Sequence, residues 1–156
     1  MEFAKDVAKL SHAERKKVGA VIVNDNTVVY GYNGTPAEWD NCCEDKVYWN
    51  SEFEDLHYDE LDLQYPYVDA IGRYCLKTKP EVLHAEMNAL SKIAQTTVSS
   101  TGATLFVTLA PCIDCAKAIY QAGIKRVFYL EDYRTNDGLV FLKRARIEVT
   151  QIKKGQ

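Results

Sequence analysis

The chain of 156 residues has no apolar run long enough to span a bilayer, no internal repeat and no low-complexity tract. Its first residues, MEFAKDVAKL, carry charge throughout and lack the apolar stretch of a secretory signal. The expected location is therefore the cytoplasm, and no membrane partner is expected. There is no basic excess either. Nineteen Lys and Arg against 22 Asp and Glu give a formal net charge of −3, which argues against a general nucleic-acid binder. What is present is an apolar fraction of 47%, enough for a real core in a chain the length of one ordinary domain. Residues 1–156 are read as a single domain.

Cysteine occurs five times, at Cys42, Cys43, Cys75, Cys112 and Cys115. An odd number without a secretory signal argues against a disulfide scaffold. The Cys112/Cys115 pair then reads as metal-binding or redox-active. A thioredoxin-like pair follows the first strand of its fold. Here the pair follows a later strand and is preceded by His84-Ala85-Glu86, so metal binding is the better reading.

The apolar spacing predicts a helix over 2–12, strands over 18–23 and 27–32 joined as a hairpin at Asp25-Asn26, and a loop at Asn33-Gly34-Thr35-Pro36. Helices follow over 84–95, 112–122 (stopped by Gly123) and 139–145, with strands over 103–109, 126–130 and 147–152. The order α-β-β-α-β-α-β-α-β implies an α/β three-layer sandwich, a mixed sheet with helices on both faces. Residues 37–83 interrupt it. They are aromatic and acidic, with nine Asp and Glu between Glu44 and Asp69 against one lysine, and show no clear period. They read as a solvated excursion pinned by its tyrosines, or as a regulatory or subunit-contact segment.

His84, Cys112 and Cys115 supply one imidazole and two thiols, which suit tetrahedral zinc. The two cysteines stand three apart at a helix start, so both sulfurs lie on one face of its first turn. The helix N-terminus favours their thiolates. Three protein ligands leave a position for water, as in catalytic sites, whereas a structural site is closed by four. Only His12, His57, Cys42, Cys43 or Cys75 could close this one. Zinc lowers the pKa of bound water from about 15.7 toward roughly 7. Glu86, two residues after His84, is placed to carry protons between that water and a substrate ring rather than to bind metal. Taken singly, such a Glu is a capping-box acid and such a CxxC half of a structural metal site; together they point to a hydrolytic centre.

The H-x-E…P-C-x-x-C pattern is the signature of zinc nucleobase deaminases. Around it stand Val18-Gly19-Ala20-Val21-Ile22-Val23, Gly31-Tyr32-Asn33-Gly34-Thr35-Pro36, His84-Ala85-Glu86-Met87-Asn88-Ala89, and the run from Thr108 to Ile119. With these segments the chain resembles the deoxycytidylate deaminases of the cytidine deaminase-like superfamily, as a phage-type member. The resemblance implies a five-stranded sheet between helices and hydrolysis of dCMP to dUMP with release of ammonia, feeding thymidylate synthesis. It implies one catalytic Zn²⁺ per subunit on His84, Cys112 and Cys115, with Glu86 as the catalytic acid and base. Among substrate contacts it implies Asn33 on the sugar hydroxyl, Arg15 on the 5′-phosphate, the Ala85 backbone N–H on the base carbonyl, and Tyr133 closing over the base. A related zinc deaminase acting on another cytosine nucleoside or nucleotide is the alternative.

The resemblance further implies a homohexamer, activated by dCTP and inhibited by dTTP. The effectors would sit at subunit contacts near the 34–43 loop, with Gly34 and Asn41 as candidate contacts and Mg²⁺ accompanying the triphosphate. Lys92 and Gln95 fall where relatives place subunit-contact residues. If the protein is phage-encoded, its cytoplasm is the host's. One departure concerns a second, structural zinc. Some relatives hold it with a cysteine where this chain has Ala13, leaving Cys43, Cys75 and His57 as the remaining partners.

Overall fold

The computed structural model describes residues 1–50 and 57–153. The elements run α1 (Glu2–Ala8), β1 (Gly19–Asn24), β2 (Thr27–Tyr32), β3 (Glu44–Tyr48), α2 (Tyr58–Gln64), β4 (Tyr67–Val68) and β5 (Arg73–Thr78). They continue with α3 (Ala85–Ala94), β6 (Thr104–Leu109), α4 (Ile113–Gln121), β7 (Arg126–Glu131), α5 (Asp137–Arg144) and β8 (Glu148–Gln151).

The main sheet has the order β2-β1-β6-β7-β8. The hairpin pairs Gly19 with Tyr32 through Asn24 with Thr27, and β1 also runs antiparallel to β6. β6, β7 and β8 are parallel, as expected when a helix carries the chain back between consecutive strands. Alternation along β1 sorts its side chains onto two faces. Ala20 and Ile22 join Leu105, Val107, Ala89, Ile93, Ala116, Ile119 and Val127 in the larger cluster under α3 and α4, whereas Val21 packs with Ala4 and Val7 of α1. Helices thus cover both faces of a five-stranded mixed sheet, as the sequence predicts.

The excursion is more ordered than its composition suggests. β3, β5 and β4 form a second, antiparallel sheet. Tyr74 of β5 is flanked by Tyr48 and Tyr67 with ring centroids 5.6 and 5.4 Å away, and Lys46 sits 4.4 Å over its ring. Asp69 ties the hairpin by accepting from Lys46 Nζ at 2.7 Å and from the Tyr48 hydroxyl at 2.9 Å. The Lys46 bond, with the backbone donors of Ile71 and Gly72, holds the Asp69 carboxyl down to about 2. The tyrosines do pin this segment. The stretch 51–56 of the excursion lies outside the described residues.

Two glycines let the elements approach closely. A Cβ on Gly31 would lie 2.4 Å from Ala89 N and 2.5 Å from Ala85 O, so β2 presses directly on the α3 backbone. A Cβ on Gly138 would lie 2.0 Å from Pro111 O, which puts α5 against the peptide leading into Cys112. Gly138→Ala is therefore expected to cost about 1–3 kcal/mol through overpacking and to loosen metal retention. Thermal unfolding and zinc content of the purified variant check both. No helix among the described residues is long and apolar enough to cross a membrane.

Candidate active site

α3 and α4 begin side by side, and each starts with a ligand-type residue just outside its first turn. His84 is the N-cap of α3 (φ −71°, ψ 150°) and Cys112 the N-cap of α4 (φ −68°, ψ 171°). Each helix therefore starts one residue later than the sequence predicts. The shift has a chemical consequence, because an extended N-cap residue aims its side chain across the helix mouth. Cys115, at the third helical position, rises on the same side as Cys112. His84 Nδ1 lies 3.3 Å from Cys115 Sγ and 3.5 Å from Cys112 Sγ. The three donor atoms all lie within 4.8 Å of one another.

This spacing fits zinc. Bonds of about 2.0 Å to nitrogen and 2.3 Å to sulfur give tetrahedral edges of roughly 3.5–3.8 Å, close to the separations found. All five cysteines are free thiols. Hydrogen bonding from Cys115, then His84, draws the Cys112 thiol down to about 4. The same Cys112 bond, with burial, pushes Cys115 strongly up. His84 is raised by its bond to Cys112. Among the described residues no fourth His, Cys, Asp or Glu joins the group. Cys43 lies elsewhere, in a small apolar cluster with Ala13 and Val82. Cys75 is in β5, paired with Val47.

Glu86, in the first turn of α3, is only 4% exposed. Burial pushes its carboxyl up from the usual 4.5, so it holds a proton more readily than an ordinary glutamate. It lines a cleft of about 590 Å³ together with His84, Ala85 and Cys112. Asn33, Arg15 and Tyr133 line the same cleft. The Asn33 amide already clamps the entry to β1, accepting from Val18 N–H at 2.7 Å and donating to Lys16 O at 2.8 Å. One N–H and one lone pair of that amide remain for a ligand. Arg15 is exposed and donates Nη1–H to Thr78 Oγ1 at 3.1 Å. Tyr133 is half-buried after β7, with the Arg134 guanidinium 5.3 Å from its ring centre.

Gly34 and Asn41 stand apart from these. Gly34 forms a bridge with Leu83, and Asn41 is exposed; neither lines the cleft. The structure adds cleft residues that the sequence did not single out. Glu44, Lys77 and Thr78 come from the second sheet, and Glu131, Asp132 and Arg134 from the end of β7 and the turn after it. Lys16 pairs with Glu131 across the rim. None of these belongs to a motif. Glu44 in particular looks like one more of the excursion's many acids.

Fold and cleft together define a hydrolytic deaminase of the cytidine deaminase-like type. Residues 1–131 match the model of the cytidine and deoxycytidylate deaminase zinc-binding region, and the chain belongs to that family. It is 35% identical to the deoxycytidylate deaminase of enterobacteria phage T4 over 88% of this chain and 80% of that one. It is 39% identical to the human deoxycytidylate deaminase over 87% of this chain and 67% of that one. Among solved structures, the dCMP deaminase of cyanophage S-TIM5 in complex with dCMP and dUMP superposes with a TM-score of 0.74 at 35% identity, covering 97% of this chain and 92% of that one.

Proposed function

We propose that this protein hydrolyses dCMP to dUMP and ammonia, with zinc held by His84, Cys112 and Cys115. The observation that carries this reading is the content of one cleft: a three-donor metal group and a buried carboxyl at its floor, and a guanidinium with free donors at its rim. The relatives that act on dCMP, and the cyanophage enzyme whose structure holds dCMP and dUMP, support the choice of substrate. Zinc in such a site supplies Lewis acidity that makes water a competent nucleophile near neutral pH.

The chain's own groups do the rest. Glu86 accepts a proton from the attacking water and delivers it to N3 of the pyrimidine. The new C4–O bond makes C4 tetrahedral. Glu86 then carries the remaining proton from the new C4 hydroxyl to the exocyclic nitrogen, the C4–N bond breaks as the C4=O bond forms, and ammonia leaves. A carboxyl raised by burial suits both halves of this shuttle, because it neither holds its proton too weakly nor is bathed in competing water. Ala85 opens α3, so its N–H is one of the four donors a helix leaves without an intrahelical partner; in this reading it donates to the base carbonyl. Asn33 offers its remaining donor and acceptor to the sugar hydroxyl, and Tyr133 covers the base. Arg15 engages the 5′-phosphate with the guanidinium donors that Thr78 leaves free.

Ammonia release from dCMP and from deoxycytidine tests the reading. The expected result is a strong preference for the monophosphate. Equal rates would favour the alternative, a zinc deaminase of another cytosine nucleoside or nucleotide. Arg15→Ala is expected to raise KM for dCMP about 10–100-fold, the span of one lost charged hydrogen bond, measured by initial rates against dCMP concentration.

Supply of dUMP to thymidylate synthesis, activation by dCTP, inhibition by dTTP, Mg²⁺ on the effector triphosphate and a homohexamer belong to the same proposal. The resemblance alone supports them. Turnover with and without each triphosphate, and the mass of the assembly in solution, test them.

A further inference from the structure

The second sheet contributes Glu44, Lys77 and Thr78 to the cleft, and one cross-strand pair among them has both members turned to a single task. Glu44 of β3 and Thr78 of β5 are register partners, and both line the cleft. Glu44 is 8% exposed, an unusual place for a carboxylate. Its oxygens both bind the segment that carries Arg15: Oε2 accepts from Glu14 N–H at 3.2 Å and Oε1 from Arg15 N–H at 3.3 Å. Thr78 Oγ1 accepts from Arg15 Nη1 at 3.1 Å. One pair therefore grips both the main chain and the guanidinium of the same arginine.

We propose that Glu44 and Thr78 are positioning residues that preset Arg15 for a monophosphate, and so set the preference for a nucleotide over a nucleoside. The inference rests on the phosphate role of Arg15 proposed above. An exposed arginine loses rotamer freedom when it binds an anion, and an arm held beforehand loses less. The guanidinium has five N–H donors, so one bond to Thr78 leaves a fork for two phosphate oxygens. A buried carboxylate would by itself repel a phosphate. Here each of its oxygens accepts from a backbone N–H, and Arg15 with the neighbouring Lys77 brings positive charge to the same cleft. The excursion thus contributes substrate selection to a centre whose chemistry is housed at the starts of α3 and α4.

The test compares kcat and KM for dCMP in Thr78→Val, Thr78→Ser, Glu44→Gln and Arg15→Ala. Thr78 is exposed, so its replacement leaves the fold intact. Thr78→Val is expected to raise KM about five- to tenfold, as the loss of one hydrogen bond would, with the loss in KM rather than kcat. Thr78→Ser is expected to restore it. Glu44→Gln should move KM in the same direction. In an Arg15→Ala background Thr78→Val should add nothing further. An unchanged KM in Thr78→Val, a Ser variant as impaired as the Val variant, or a full additional loss in the Arg15→Ala background would each overturn the inference. If Arg15→Ala itself leaves KM unmoved, the phosphate role of Arg15 fails instead, which separates the two ideas.

Discussion

Glu86→Gln is expected to lower kcat for dCMP by about 10²–10⁴-fold, the usual contribution of a positioned acid–base group, with zinc content and fold retained. Glutamine keeps the size and one oxygen acceptor, so packing at a position only 4% exposed is preserved. It cannot receive a proton at neutral pH, and the reaction needs one moved twice, to N3 and to the departing nitrogen. The site's own electrostatics sharpen the argument. Burial raises the Glu86 carboxyl, and the Cys112 thiolate raises it further by charge repulsion, while His84 pulls it down. A group poised between these influences is tuned for transfer rather than for a fixed ion pair. Rates in stopped assays, with zinc measured on the same preparation, check the expectation. Turnover within a few-fold of the parent would remove Glu86 from the mechanism. A structural metal module built on the same three donors predicts that result.

The ligand group was legible because its geometry is local. His84 and Glu86 share one helix start and Cys112 and Cys115 another, so short spacings translate directly into a shared face. The one-residue shift of both helix starts comes from the extended dihedrals of His84 and Cys112, which a 3.6-residue period cannot reveal. The main sheet was legible for the same reason: β1 and β6 are buried on both faces and read as apolar runs. The second sheet was not. β3 has one buried residue and β4 only two residues, so neither shows a strand period. What holds them is contact at long sequence separation: the Tyr48, Tyr67 and Tyr74 rings and the Lys46–Asp69–Tyr48 link. Glu44 carries the same lesson into the site. In a segment crowded with acids nothing marks it out, and only docking of the second sheet beside residues 14–15 buries it. Asn33 differs again. Its Asn-Gly pair reads as a turn and its resemblance as a ligand contact, while the structure gives it a clamp between Lys16 and Val18 that is compatible with both.

Removal of the metal is expected to abolish turnover and to lower the melting temperature on the order of 10 °C, with both restored by added zinc. The first effect follows because no other group in the cleft supplies a Lewis acid. The second follows from linkage. A ligand at a thousand times its dissociation constant stabilises the fold by about 4 kcal/mol, and for a chain of this size each kcal/mol shifts the midpoint by about 2–4 °C. The location of the donors makes the loss global rather than local. His84 and Cys112 cap α3 and α4, whose inner faces supply Ala89, Ile93, Ala116 and Ile119 to the main core. Cross-linking the two helix mouths therefore braces the packing over the sheet. Affinity must also depend on pH with a definite sign. The raised Cys115 thiol has to give up its proton to the metal, and the His84 ring, also raised, has to be neutral to bind it. Each proton displaced makes binding about tenfold tighter per pH unit, so chelators should strip the protein faster as pH falls. Zinc measured against protein after dialysis at several pH values, with melting curves and dCMP turnover on the same samples, reads all three effects. One zinc per chain is the expected ceiling. A melting temperature indifferent to chelation at full metal loss would show that the two helices hold their positions without the cation.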